Sequence, residues 1–199
     1  MADPRADEIA REAARLIQIG RTTDIDIAVR TAADALGYSG VPLPGHGRVR
    51  KHAQAMSMQA MGEAAYLDRQ VEVWNIAEQV MTMLEHALPD SSCALVGRAA
   101  QGHIDAGMIA HIRIYTAHTD AEIARVLVEF GYKEPTFQTL ECLRGRVQQV
   151  RFIENGCEIV ITRCMPQWRS DLHLHLVTGR PLEALTLDAL RRRIAERAR

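Results

Sequence analysis

Hydrophobic positions in the first ninety residues recur every three or four residues, which is the spacing of an amphipathic helix. The four stretches with this spacing are Ile9–Ile17, Ile25–Leu36, Val49–Ala60 and Leu67–Leu88. Capping signals accompany the first two, because Asp3 precedes a proline, Thr23 precedes the second stretch, and a glycine closes each. We therefore predict four helices in this part of the chain.

From residue 92 onward the pattern changes to the two-residue period of β-strands. Along Ile109–Tyr115, hydrophobic side chains point to one side, and His111, Arg113 and Tyr115 point to the other. Asn155-Gly156 joins two further β-rich runs and is a hairpin signal, because both residues tolerate positive φ. The predicted order is strand–strand–helix–strand–strand–strand–helix: Ala94–Val96, Ile109–Tyr115, Ile123–Phe130, Phe137–Leu143, Val147–Ile153, Cys157–Arg163 and Leu187–Ile194, the last capped by Thr186.

Helices that are segregated from strands in this way predict an α+β fold. We assign residues 1–90 to an N-terminal helical region and residues 91–199 to an α+β domain, in which one or two helices pack on a mixed β-sheet. The chain has no internal repeat and no low-complexity tract.

Charge and composition narrow the classes of function. The chain has 24 basic and 25 acidic residues, so it carries no overall electrostatic signature of nucleic-acid or membrane binding. No apolar run approaches the ~20 residues of a membrane span, and the first residues do not resemble a secretory signal. The four cysteines form no Cys-x-x-Cys pair. We expect a cytoplasmic protein with reduced, buried cysteines and no membrane association.

Local charge leaves alternatives open. The first two helices are spaced like a helix-turn-helix, but the second carries three aspartates against one arginine. A helix that reads DNA is basic, so nucleic-acid binding is not expected. The basic clusters at residues 46–52 and 191–199 are either solvated helix surfaces or patches that contact phosphate.

Candidate chemistry concentrates in residues 94–116. A short strand enters a turn at Gly97, and the following strand points polar side chains back toward that turn. Such an arrangement can hold a phosphate or a metal ion. The chain contains no Walker, Gly-x-Ser-x-Gly or His-Glu-x-x-His motif, so P-loop, serine-hydrolase and zincin chemistry is not predicted.

A second cluster lies at Asp171-Leu-His173-Leu-His175. If this segment is extended, both histidines lie on one face about 7 Å apart, and one zinc or iron ion bridges them once a third ligand converges. His111 and His103 are the candidates for that ligand. A polar sheet face without a metal is the alternative interpretation.

The segment from residue 95 to residue 116 reads LVGRAAQGHIDAGMIAHIRIYT and resembles the core motif of the polymerase-β-like nucleotidyltransferase superfamily. That motif is a hydrophobic residue, Gly-Gly/Ser, a spacer and Asp-x-Asp on the next strand, with a third carboxylate on a later strand. The wider chain is similar to a degenerate bacterial family of nucleotidyltransferase-like proteins, at Leu43-Pro44 and at residues 158–166 and 176–182. The resemblance implies a nucleotidyltransferase-like sheet and a nucleotide ligand.

Transferred residue by residue, the functional positions of this family are altered here. Gly97 matches the turn glycine that lets the backbone approach a phosphate, and Arg98 replaces its small neighbour. The two strand carboxylates fall on Ile109, which cannot bind a metal, and on His111, a poor ligand for Mg²⁺. The third carboxylate is retained as Glu158.

These replacements argue against the two-metal chemistry of the family, which places two divalent ions ~3.5–4 Å apart. Glu158, His111 and Asp105 in the preceding loop supply a charge of at most about −2, against +4 for two Mg²⁺ ions. We therefore expect Mg²⁺ or another divalent ion to be poorly held and the standard catalysis to be lost.

The resulting expectation is a nucleotide-binding or regulatory module rather than an enzyme, with Gly97, Arg98 and His111 lining the cleft and Glu158 at its edge. One alternative is an active metal-dependent nucleotidyltransferase whose relocated site uses Asp105, His111 and Glu158. Another is a structural module that forms a homodimer through its alanine- and methionine-rich helices.

Overall fold

The computed structural model of the chain describes residues 3–22, 24–104 and 109–197. The chain divides into two compact units, Met1–Leu67 and Asp68–Arg199. The division falls within the fourth helix, whereas the sequence pattern places a boundary after residue 90, where helices give way to strands.

The first unit is helical. Its elements are α1 at Pro4–Gln18, α2 at Ile25–Ala35, α3 at His46–Met61 and the beginning of α4 at Glu63–Ala87. The helix α4 begins directly after Gly62, four residues before the predicted start near Leu67. Alanines dominate the core of this unit, and such small side chains allow helices to approach closely. Its fully buried members are Ile9, Ala10, Ala13, Ala14, Ala28, Ala32 and Val49.

Capping residues explain where the first two helices begin. The Asp3 carboxylate accepts a hydrogen bond of 2.9 Å from the backbone N–H of Arg5, as the sequence predicts. The second helix is capped by Asp24, so the prediction of Thr23 was wrong; Thr23 itself lies outside the described residues. The Asp24 carboxylate accepts two backbone N–H bonds of 2.8 and 3.0 Å. Its negative charge also complements the helix dipole, which a threonine hydroxyl does not.

The second unit contains a six-stranded sheet. Its strands are β1 at Ser92–Val96, β2 at Ile109–Tyr115, β3 at Thr136–Cys142, β4 at Gly145–Glu154, β5 at Cys157–Cys164 and β6 at Ala184–Thr186. Their spatial order is β3-β4-β5-β2-β1-β6. The central pair β2–β5 is parallel and its neighbours are antiparallel. The predicted α+β class with a mixed sheet is confirmed.

The strand β6 is missing from the predicted order. It pairs antiparallel with β1 and ends at Thr186, directly before α6 at Leu187–Arg197. The Thr186 hydroxyl accepts a hydrogen bond of 3.4 Å from the backbone N–H of Ala189. Three residues are too few to show a period, so the hydrophobic pattern could not reveal this strand.

Hydrophobic side chains form one face of the sheet. The fully buried members on β2 are Ala110, Ile112 and Ile114. The helix α5 at Asp120–Glu129 contacts β4, and α6 contacts β1 and β6. Tyr132, just after α5, packs against Phe152 of β4 in a tilted arrangement, with ring centroids 4.7 Å apart and an angle of 52° between the ring planes. The opposite face of the sheet carries the polar side chains.

The predicted hairpin between β4 and β5 is present. Asn155 and Gly156 have φ angles of 47° and 71°, which are the positive values that this turn demands. The Arg69 guanidinium of α4 donates a hydrogen bond of 2.6 Å to the Asn155 carbonyl and fixes the turn.

Among the described helices, none has both the length and the apolar composition that crossing a membrane requires.

Candidate functional site

The C-terminus of β1 and the N-termini of β2 and β5 lie side by side at one end of the central strands, and they bring the predicted site residues together. Because β1 and β2 are antiparallel, Val96 lies opposite His111, and Gly97 follows at the same end. Because β2 and β5 are parallel, Ile109 lies beside Glu158. Gly97, Ile109, His111 and Glu158 therefore occupy neighbouring positions, as the resemblance implies.

The polar face can be read as rows of side chains that run across β2, β5 and β4, with strands about 4.8 Å apart. The outer row is Ile109, Glu158 and Ile153; the middle row is His111, Val160 and Arg151; the inner row is Arg113, Thr162 and Gln149. Exposure falls along β2 from 40% at Ile109 to 4% at Arg113. The face is therefore open at the outer row and closed at the inner row.

The turn that begins at Gly97 is held rigidly. Gly97 has a φ of 76°, and its backbone N–H donates a hydrogen bond of 2.9 Å to the Glu183 carbonyl. Side chains of α4 and α6 bind three carbonyls of the turn. They are Trp74 to Ala99 at 2.7 Å, Arg193 to Ala100 at 2.6 Å, and Gln70 to Gly102. The half-buried Arg98 follows the glycine directly, so this backbone is fixed before any ligand arrives.

Glu158 is engaged in an ion pair. Its carboxylate lies 3.0 Å from the Arg151 guanidinium, and both side chains are about one-third exposed, at 31% and 29%. Arg151 also donates a hydrogen bond to the Gln138 side chain. The retained carboxylate is therefore neutralised by an arginine of the adjacent strand.

At Ile109, His111 and Glu158, the described residues offer a pair of Mg²⁺ ions no carboxylate that is without an arginine partner. Within residues 3–22, 24–104 and 109–197, no three His, Cys, Asp or Glu side chains are grouped to hold a metal. Ile109 offers hydrocarbon where a hard oxygen ligand is needed, and Glu158 is bound by Arg151. Asp105, the further predicted ligand, lies outside the described residues.

The histidine cluster is not an extended segment, contrary to the prediction. Asp171 ends a 3₁₀ helix that begins at Pro166, and His173 lies in a turn. The chain then folds back, so that the backbone N–H of His175 donates a hydrogen bond of 2.8 Å to the Arg180 carbonyl. The His175 Nδ1 accepts backbone N–H bonds at 3.2 Å from two following residues. The alternating Leu-His residues belong to a loop that is closed by a single β-bridge between Leu174 and Pro181. The two histidines therefore do not lie side by side on the face of a strand.

Sequence reasoning placed Arg113 on the polar face but did not assign it a role. The side chain is 4% exposed, and its Nη1 donates a hydrogen bond of 3.3 Å to the Leu172 carbonyl. Beside it, the side-chain amide of Gln149 donates to the Thr162 hydroxyl at 3.0 Å. The sequence did contain a signal for a role of Arg113, because this arginine lies within the strongly hydrophobic run Ile112–Tyr115. A charge in such a run costs free energy when its face of the sheet is buried.

Tyr115 adds a second polar group at the inner end of the same face. The residue is 3% exposed, and its hydroxyl finds no acceptor for its own hydrogen among the residues that the structure describes. Burial raises the pKa of the Tyr115 phenol, and hydrogen bonding and charge from the adjacent Arg113 guanidinium oppose that rise. A buried hydroxyl whose hydrogen has no acceptor is costly, and this one lies next to a buried cation.

Comparison with known proteins gives the fold little further support. No protein-family model matches the chain, and no curated protein matches it. Among solved structures, the chain is similar to a cytoplasmic RNA terminal U-transferase, with a TM-score of 0.35 and 13% identity over 49% of this chain. It is also similar to the non-canonical poly(A) polymerase complex GLD-2–GLD-3, with a TM-score of 0.37 and 11% identity over 54%. The chain is similar as well to a GLD-2/RNP-8 complex, with a TM-score of 0.36 and 10% identity over 57% of this chain.

The chain spans only about a third of the length of these structures: 33%, 36% and 38%. Similarities with such low TM-scores do not establish a fold, and the α+β fold is defined by the order and register of its own six strands.

Proposed function

We propose that the polar face of the sheet is a degenerate nucleotidyltransferase-type cleft that binds a nucleotide and acts in regulation rather than in catalysis. The observation that carries this proposal is the outer row, in which hydrocarbon stands at Ile109 and the neighbouring Glu158 is neutralised by Arg151. A metal-dependent transferase needs free carboxylates at these positions, because its ions stabilise the attacking and leaving oxygens.

Binding is supported by the turn at Gly97. The turn lies at the open end of the polar face, and its carbonyls are held by α4 and α6. Arg98 follows Gly97 directly in the turn, and His111 lies on β2 opposite Val96. A rigid backbone loses little conformational freedom when a ligand binds, so it favours affinity.

An active nucleotidyltransferase that uses Asp105, His111 and Glu158 is the second candidate. The observation that favours it is the register, which places Glu158 on the strand beside Ile109 and near His111. In that case Glu158 must exchange Arg151 for a divalent ion when substrate binds.

A thermal-shift screen with ATP, GTP, CTP and UTP, each with Mg²⁺, Mn²⁺ or Zn²⁺, tests the proposal. We expect stabilisation by at least one nucleotide and no transfer of labelled nucleotide to any acceptor. Labelled transfer that disappears in Glu158→Gln would instead establish the enzyme. A dimer by light scattering that responds to no nucleotide and no metal would leave a structural module and refute the proposal.

A further inference from the structure

The inner row of the polar face contains a positive charge that the described residues do not balance. Arg113 is 4% exposed and donates one hydrogen bond, to the Leu172 carbonyl. Among residues 3–22, 24–104 and 109–197, no carboxylate forms an ion pair with it; the nearby Asp171 is paired with Arg144. A buried guanidinium ordinarily has a counter-ion, because removing a charge from water is costly.

Two further donors point to the same deficit. The Tyr115 hydroxyl and the Arg151 Nε are both buried, and neither has an acceptor for its hydrogen in the part of the chain that the structure describes. Tyr115 and Arg113 lie on the same side of β2, and Arg151 lies on the same face of the sheet two strands away. Unsatisfied buried polar groups are rare in proteins, and two of them on the face that holds the unbalanced Arg113 indicate a missing partner of opposite character.

An anion supplies what these groups lack. Among the described residues named above, Arg113, Arg144 and Arg151 stand against Asp171 and Glu158, so one positive charge is left over. The Arg113 guanidinium and the two further groups can each donate a hydrogen bond, and phosphate oxygens are strong acceptors that arginine binds in a bidentate manner. A divalent cation is repelled by the same arrangement.

We infer that Arg113 and Tyr115 form a phosphate-binding site at the closed end of the cleft, and that this site binds the phosphates of its ligand directly, without a divalent metal. This inference rests on the proposed function and specifies how that cleft recognises its ligand. Arginine then supplies the charge that Mg²⁺ supplies in a metal-dependent site.

Isothermal titration of the full chain with ATP and with inorganic tripolyphosphate, each with Mg²⁺ or with EDTA, is the first arm of the test. The expected result is binding of both anions in EDTA and weaker binding in Mg²⁺, because Mg²⁺ chelates the phosphates and competes with the arginine for them. Binding of ATP alone would place the recognition in the nucleoside and would overturn the inference. Binding that requires Mg²⁺ would also overturn it, although the proposed nucleotide cleft would stand.

Variants form the second arm. Tyr115→Phe removes only the buried hydroxyl, and Arg113→Met replaces the cation with an apolar side chain of similar length. We expect tripolyphosphate affinity to fall roughly tenfold in the first and roughly 100-fold or more in the second. The melting temperature of the ligand-free protein should be unchanged or higher in both, because Tyr115→Phe removes a buried hydroxyl without an acceptor and Arg113→Met removes a buried charge without a carboxylate partner among the described residues.

Arg146→Gln is the matched control, since it removes the same charge from β4 at a side chain that is 77% exposed. It should bind as the wild type does. If Arg113→Met does not fold, Tyr115→Phe decides in its place, because it removes one hydroxyl and keeps the ring, and an unchanged tripolyphosphate affinity in it would overturn the inference.

A purely structural arginine gives the opposite pattern. Arg113→Met would then lower the melting temperature of the ligand-free protein and leave anion affinity unchanged, which overturns the inference. Failure of the wild type to bind any nucleotide or tripolyphosphate, with or without metal, would refute the proposed function together with the inference.

Discussion

Gly102→Ala tests whether the turn at Gly97 depends on its attachment to α4. Gly102 has a φ of 81°, and a β-carbon there would lie 2.6 Å from the Gln70 side-chain nitrogen and 3.2 Å from the Trp74 ring. The left-handed backbone costs alanine about 1 kcal/mol. Gln70 must also move, which breaks its buried bond to the Gly102 carbonyl and costs about 1–3 kcal/mol more. The free energy of unfolding should therefore fall by about 2–4 kcal/mol.

Gly131→Ala is the control, because Gly131 has a φ of 91° but nothing lies within 4 Å of its added β-carbon. It carries the conformational cost alone and should lose about 1 kcal/mol. Urea unfolding of both variants measures the difference, with thermal shift by ATP as a second measurement. We expect ATP to stabilise Gly131→Ala as it does the wild type and to stabilise Gly102→Ala less. Equal unfolding midpoints for the two variants would refute the reasoning.

Three further predictions concern other parts of the chain. Hydrogen bonds from Thr119 lower the pKa of Glu122 to about 2 from an ordinary 4.5. Glu122→Gln should therefore have a lower melting temperature than the wild type at neutral pH, and this difference should vanish as the pH falls from about 5 to 2. Burial raises the pKa of the Cys164 thiol to about 11, so a thiol reagent at pH 8 should modify the partly exposed Cys142 first and Cys164 only after unfolding. Asp24→Ala removes the cap of α2 and should lower the free energy of unfolding by about 1 kcal/mol in chemical denaturation, whereas an unchanged midpoint would show that the cap is dispensable.

Features that depend on local sequence were predictable. The cap at Asp3, the Asn155-Gly156 hairpin and the alternation along β2 are each determined by a few neighbouring residues, and each is present. The α+β class followed from the change of period near residue 92. The placement of Glu158 beside Ile109 came from the resemblance, because no local pattern reveals which strands become neighbours.

Features that depend on distant segments could not be predicted. Alternation shows which side of β2 Arg113 faces, but its burial depends on Leu172, which arrives 59 residues later in the chain. The Leu-His alternation at residues 171–175 predicted an extended segment, yet a 3₁₀ helix and a bridged loop form there. In both cases tertiary contacts override the local pattern.

The parallel pairing of β2 with β5 has a consequence for how the protein acquires its cleft. Between the two strands the chain makes α5 and the β3–β4 hairpin, and β4 then joins β5 through a two-residue turn. Contacts between sequence neighbours form quickly, whereas joining β2 to β5 must first overcome the entropy of closing a long loop. The meander β3–β4–β5 can thus assemble early, while the surface shared by Ile109 and Glu158 exists only after the two central strands have joined. A nascent or truncated chain that ends before Cys157 lacks this surface, so under the proposed function nucleotide binding would report completed folding of the second unit.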